Sequence, residues 1–249
     1  MICRDEARGR AARDEIASQS KNGSVDLMVA DLSSMTSVRG VSEEFGARYQ
    51  KLDVLINNAA VFLATRTTTV EGFEMMFATN YLGPFLLTRL LVPFLEAGKP
   101  ARIVNVTAPS TVRPDLDDLQ GERKFSPLHA FGASKAAELL LTYALAGRLA
   151  GRGIAVNAYH PGIVKTNLNR TAPAPVRLVT AVMNVFAAAP PERASEGLMQ
   201  LATSAEFAKF NGRLVHKGKP ITAPFIEDKD LQDRLWKVSC GLVGVEETL

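Results

Sequence analysis

The chain has 249 residues, 47 % hydrophobic and 22 % charged, with a formal net charge of +3 from 29 basic and 26 acidic side chains. So much apolar material with so little net charge excludes a disordered chain. The even charge balance, with no basic block interleaved with aromatics, argues against nucleic-acid binding.

The predicted elements alternate. Residues 4–20 are rich in Ala, Arg and Glu at helical spacing, and Gly23 closes the segment. Val25 to Ala30 is a short apolar run ending at Asp31, as a buried parallel strand does. Ser33 and Ser34 cap a helix over 35–50, and Val54 to Ile56 is the next strand, ending in Asn57 and Asn58. Thr69 to Leu95 reads as helix, with a break or kink at Gly83 and Pro84. Arg102 to Thr107 is a strand, 109–125 a polar loop, and Ser126 to Ala150 a long helix.

Ile154 to Tyr159 forms a further strand before the turn His160, Pro161, Gly162. A Pro- and Ala-rich segment, 163–190, follows and is the expected substrate-loop region. A helix over 191–204, a strand at Arg213 to Val215 and an amphipathic helix over 228–243 close the chain. The alternation predicts one α/β domain over 1–249 with a doubly wound, mostly parallel sheet. In such sheets ligands sit at the carboxyl ends of the strands, which singles out Asp31, Asn57, Asn58, Asn105, Thr107 and the His160 turn. Cys3 and Cys240 form no disulfide framework and read as small hydrophobes, which fits a cytoplasmic protein. The longest apolar stretch, Val176 to Ala189, is interrupted by Arg177 and Asn184 and is too short to span a membrane.

Asp31-Leu32, Asn57-Asn58-Ala59-Ala60, Asn80-Tyr81-Leu82-Gly83, Ile103-Val104-Asn105-Val106, Gly132-Ala133-Ser134-Lys135 and Pro161-Gly162-Ile163-Val164-Lys165-Thr166 stand in this order. The series resembles the short-chain dehydrogenase/reductase family. The ending Leu235 to Ser239 is similar to its retinol-dehydrogenase-like branch. The resemblance implies a Rossmann-like fold and hydride transfer between a nicotinamide and an alcohol or carbonyl. Lys135 and Asn80 fall on the family's catalytic lysine and asparagine. Phe131 stands where the family has its acid/base tyrosine, and Ala108, beside Thr107, where it has its serine.

Phe131 and Lys135 are spaced i, i+4 and share one helix face. A phenyl ring has no proton to give, and positioned acid–base catalysis is worth ~10²–10⁴ in rate. The family's first strand, glycine-rich turn and first helix, which hold the pyrophosphate, have no counterpart before Met1. The one Gly-x-Gly, at Gly151 and Gly153, lies between a helix and a strand and reads as a helix terminator. The cofactor-binding positions implied by the resemblance are Arg4, Asp31, Leu32, Asn58, Ala59, Ala60, Lys135, Pro161, Gly162, Val164 and Thr166. Arg4 matches a residue favouring a 2′-phosphate or is a solvated helix-start charge, and Asp31 meets adenine or caps a helix. His129, two residues before Phe131, titrates near neutrality or lies in a surface loop.

The expectation is therefore a family scaffold that takes no cofactor and has lost hydride transfer. Its non-redox chemistry would be isomerisation, dehydration or cyclisation of a carbonyl-bearing small molecule, with Lys135, Asn80, Thr107 and His129 as working groups. One alternative is an NADP(H)-dependent oxidoreductase of alcohols and carbonyls with upstream residues supplying the phosphate cradle. Another is a non-enzymatic partner of an intact homologue. A homo-oligomer, or pairing with a homologue through the long helices, is expected, with no metal.

Overall fold

The computed structural model describes residues 1–162, 164 and 190–249. Among the described residues the strands form two sheets. The smaller pairs β1 (Ile2–Cys3) with β2 (Met28–Val29) in parallel, with Ile2 opposite Met28 and Cys3 opposite Val29. The larger runs β3 (Val54–Asn57), β4 (Ala101–Val106), β5 (Ile154–Tyr159), β6 (Arg213–His216) and β7 (Lys219–Ile221), in that order. Its strands are parallel except β7, which returns antiparallel to β6. Among the described residues β1 pairs with β2 alone, and β3 forms one edge of the larger sheet. The architecture is α/β and Rossmann-like, as expected.

Seven α-helices are described: α1 (Glu6–Ser20), α2 (Met35–Arg48), α3 (Met75–Phe77), α4 (Gly83–Ala97), α5 (Pro127–Arg148), α6 (Pro191–Thr203) and α7 (Lys229–Val243). Alternation along β4 assigns the faces. Ile103 points into a core with Val38, Phe85, Leu95, Leu145, Leu235 and Trp236 from α2, α4, α5 and α7. Val104 joins Tyr159, Leu201, Phe207 and Val215 under α6 on the other face.

Three expectations change. The strand expected over 25–30 shrinks to Met28–Val29, because β1 offers only two partner residues. The helix expected from Thr69 begins at Met75. Gly72 adopts φ +86°, and Glu71 reaches back to accept from the Met35 and Thr36 amides at 2.7 and 2.9 Å, closing the start of α2 together with Ser34. The hairpin to β7 was missed; its signal is Lys217 and Gly218, both at positive φ between His216 and Lys219, as a two-residue turn requires.

The break expected at Gly83 and Pro84 is a π-helical stretch, Ala78–Leu82, after which α4 starts with Pro84 in its first turn. A β-carbon on Gly83 lies 2.1 Å from the Leu32 carbonyl oxygen, so only glycine lets α4 approach that backbone. Gly83→Ala is expected to destabilise the fold by about 3 kcal/mol, read as a lowered denaturant midpoint. An unchanged midpoint contradicts this packing.

Among the described residues one run, Met75–Ala97, is long and apolar enough to cross a membrane, but it is mostly buried inside the protein, as a core helix is. One face of α4 and its π-helical lead-in is taken by α7, with the Tyr81 and Ser239 hydroxyls 2.7 Å apart and Phe85 edge-on to Trp236 at 5.2 Å.

Candidate active site

A cavity of about 1000 Å³ opens at the carboxyl ends of β3, β4 and β5. Sheet topology places it there, since the turns leaving these strands converge on one rim. Arg4 follows β1; Asn58, Ala59 and Ala60 leave β3; Thr107 and Ala108 leave β4; Pro161, Gly162 and Val164 follow β5. Phe131 and Lys135 come from the first turns of α5 and line the same space. The structure thus brings together most of the residues singled out by the resemblance. Thr166, and all of the 163–190 region except residues 164 and 190, lie outside the described residues.

Four candidates stand elsewhere. The Asp31 carboxylate accepts from the Ser33 amide and hydroxyl at 2.9 and 2.7 Å, a local turn lock. Leu32 packs against the main core beneath Gly83. His129 lines a separate 520 Å³ pocket with Asp115, Asp118 and Lys124. Asn80, fully buried, binds both backbone groups of Val61, accepting at 2.8 Å and donating at 3.1 Å, and donates to Ser134 at 3.0 Å. Its amide thereby ties a cavity-wall residue to α5.

Asn57 and Asn105 also differ from their strand-end reading. Both are buried in a polar chain, with Asn57 donating to Thr88 (3.0 Å) and to Asn105 (2.8 Å), and Asn105 donating to Thr142 (2.9 Å). The Thr107 hydroxyl donates to the Lys135 carbonyl at 3.0 Å, which joins β4 to α5.

Lys135 Nζ donates to the Val106 carbonyl at 3.1 Å and to Glu138 Oε2 at 2.8 Å. Burial pushes the Glu138 carboxyl up, against the opposing pull of Lys135 and the Thr107 hydroxyl. Glu138 was missed from sequence; the available signal was an acidic residue in the apolar run Ala136 to Leu141, one turn from Lys135. The His160 ring lies tilted by 35° against that of His216 with ring centres 4.8 Å apart, and its Nδ1 is buried without a partner among the described residues. Burial and the neighbouring His216 hold it below its ordinary value, against the Thr107 backbone. Val61, Phe62, Leu63, Met75 and Leu198 make the rest of the wall mostly apolar, with Thr67 and Ser195 as its further polar residues. Phe131 packs edge-on to Phe62 at 5.6 Å.

The short chain dehydrogenase family model matches residues 1–176. Retinol dehydrogenase 12 of Mus musculus is 35 % identical over 99 % of this chain and 78 % of its own. Polyprenol dehydrogenase of Danio rerio is 39 % identical over 97 % of this chain and 78 % of its own. Among solved structures, the Pseudomonas aeruginosa RhlG/NADP active-site complex superposes with a TM-score of 0.66 at 26 % identity, covering 90 % of this chain and 85 % of that one.

These findings overturn two expectations. Non-redox chemistry is not supported, because the relatives are dehydrogenases of retinol and polyprenol. The absence of a cofactor is not supported either, because a solved neighbour carries NADP. The sequence reading equated loss of the tyrosine and serine hydroxyls and of the phosphate loop with loss of the reaction, whereas the cavity keeps Asn58, Lys135, Pro161 and Gly162 on its wall. With 176 matched residues and relatives aligned along almost its whole length, the chain belongs to the short-chain dehydrogenase/reductase family, in its retinol-dehydrogenase-like branch.

Proposed function

We propose that this protein is an NADP(H)-dependent oxidoreductase that interconverts apolar alcohols and their carbonyl counterparts. The observation that carries the reading is the single cavity in which Arg4, Asn58, Lys135, Pro161 and Gly162 line a wall shared with an apolar lobe. The donor set fits a phosphorylated dinucleotide. Arg4 provides an exposed guanidinium at the rim for a 2′-phosphate, and Lys135 provides an ammonium deeper in. Asn58, Ala59, Ala60, Pro161, Gly162 and Val164 would hold the remainder, and the nicotinamide supplies or accepts hydride when bound.

Substrate class follows from the lobe walled by Val61, Phe62, Leu63, Met75, Phe131 and Leu198. Such a lining favours a long hydrocarbon chain over a sugar or an acid, by desolvation alone. The retinol and polyprenol named for the relatives are alcohols of that kind. The reading takes 1–249 as one catalytic domain and 163–190 as its substrate loop.

Fluorescence titration with NADPH and NADH tests the reading. NADPH is expected to bind more tightly. Arg4→Ala is expected to weaken NADPH by about 10- to 100-fold, the worth of one charge-assisted phosphate contact, while leaving NADH within about threefold. Equal binding of the two cofactors removes Arg4 from the site. No binding of either removes the oxidoreductase reading.

A further inference from the structure

Helix α6 serves the cavity with only part of its length. Pro191, Ala194, Ser195 and Leu198 line the cavity, at the i, i+3, i+4, i+7 spacing of one helix face, and all four lie in the first two turns. The far end of the helix is fixed elsewhere. Leu201 and Ala202 are buried in the cluster with Val104, Phe207 and Val215. Arg102 of β4 donates to the Leu201 carbonyl at 3.0 Å, a cation on the C-terminal carbonyls of a helix.

Tyr159 holds the cavity half. It ends β5 between Val106 of β4 and Val215 of β6, is buried, and lines the cavity itself. Its hydroxyl donates to the Ala194 carbonyl at 2.8 Å. Among the described residues this is the only side-chain hydrogen bond that reaches the first two turns of α6 from another element. The same phenol lies under Gly197. A β-carbon there would stand 2.6 Å from Tyr159 Oη and 3.2 Å from Cε2 and Cζ, so only glycine lets the helix seat on the ring. With a paired strand on each side and the cluster around it, the ring is the fixed partner in this contact. The first two turns of α6 are the partner that gives way.

We propose that Tyr159 is the positioning residue of the substrate wall: its hydroxyl pins the cavity half of α6 through Ala194, and Gly197 admits the phenol, so that Leu198 is held against an apolar ligand. The proposal rests on the reading of the apolar lobe as the seat of a hydrocarbon alcohol. Once the pin is lost, the wall withdraws and a ligand in the lobe loses close contact along one side, which dispersion forces do not bridge.

The test measures binding of all-trans-retinol, by its own fluorescence, and binding of NADPH, each alone on the full chain. Tyr159→Phe keeps the ring and removes the pin. It is expected to weaken retinol by about 10-fold, with NADPH within about threefold. In reduction of all-trans-retinal the same variant is expected to raise KM by about 10-fold with kcat within about threefold. Gly197→Ala is expected to weaken retinol by about 10-fold or more. The two losses are expected to combine less than additively, because the atom nearest the new β-carbon is then gone. Arg102→Met removes the anchor at the other end of α6; it is expected to lower the urea midpoint and to leave retinol within about threefold. Tyr159→Phe adds no atom, so it carries the test if Gly197→Ala does not fold. Unchanged retinol affinity in Tyr159→Phe, equal losses of retinol and NADPH, or an equal retinol loss in Arg102→Met overturns this proposal and leaves the oxidoreductase reading standing. A wild-type chain that binds NADPH but no retinol overturns the proposal together with the hydrocarbon substrate class. One that binds retinol but neither cofactor overturns the oxidoreductase reading, while the retinol measurements still decide the pin.

Discussion

Replacing Phe131 by tyrosine is expected to raise kcat for carbonyl reduction by ~10² or more. The ring already lines the cavity and is held edge-on by Phe62 at 5.6 Å, so the variant adds a hydroxyl to a placed ring. Lys135, four residues on along α5, lies on the same helix face and its uncommitted N–H can lower the pKa of the new phenol. Adding Ala108→Ser supplies a second donor at the cavity wall and is expected to increase the gain further. The measurement is single-turnover reduction under saturating NADPH. A rate within about threefold of the wild type means that proton delivery does not limit the reaction.

Lys135→Met carries the largest expected loss, in stability as well as in rate. It leaves Glu138, 1 % exposed, without its counter-charge, and breaking a buried pair from one side costs about 3–5 kcal/mol. The sign with pH follows from the direction of the Glu138 shift. Its folded-state pKa is raised above the ordinary 4.5 by burial, and removing the ammonium raises it further. The folded chain then binds the proton more tightly than the unfolded chain. Stability is full below the ordinary value and is lost as pH rises through the raised one. The gap in urea midpoint between Lys135→Met and wild type is therefore expected to widen from pH 5 to pH 8. A constant gap contradicts a buried carboxylate that depends on Lys135. Glu138→Gln in the Lys135→Met background is expected to recover much of the loss, since an amide carries no charge to bury.

The fold was legible because its signals are periodic. The apolar runs at 54–56, 102–107 and 154–159 each became a strand of the larger sheet, and the i, i+4 pattern around Lys135 became α5. Contacts distant in sequence were hidden. Nothing near Glu71 announces that it closes α2 from 36 residues away, and no local pattern tells that Asn80 is locked to Val61 and Ser134. The site was legible through ordered motifs, which placed Asn58, Lys135 and Pro161 on one wall. Its function was misjudged because each motif residue was weighed by its presence or absence. Glu138 matches no motif, and only its burial against Lys135 gives it meaning. His129, chosen for its nearness in sequence to Phe131, faces a different pocket.

The chain of Thr88, Asn57, Asn105 and Thr142 has a bearing on how the strands find one another. Asn57 and Asn105 stand directly opposite in the β3–β4 pairing, and Thr88 and Thr142 meet them from α4 and α5. A slip of β3 by one residue against β4 would turn the Asn57 amide to the opposite side of the sheet, away from Thr88 and Asn105 and among hydrocarbon. Hydrocarbon neighbours alone tolerate sliding, whereas these four polar groups accept a single alignment. They serve as a combination lock that rejects misaligned assemblies while the larger sheet is forming.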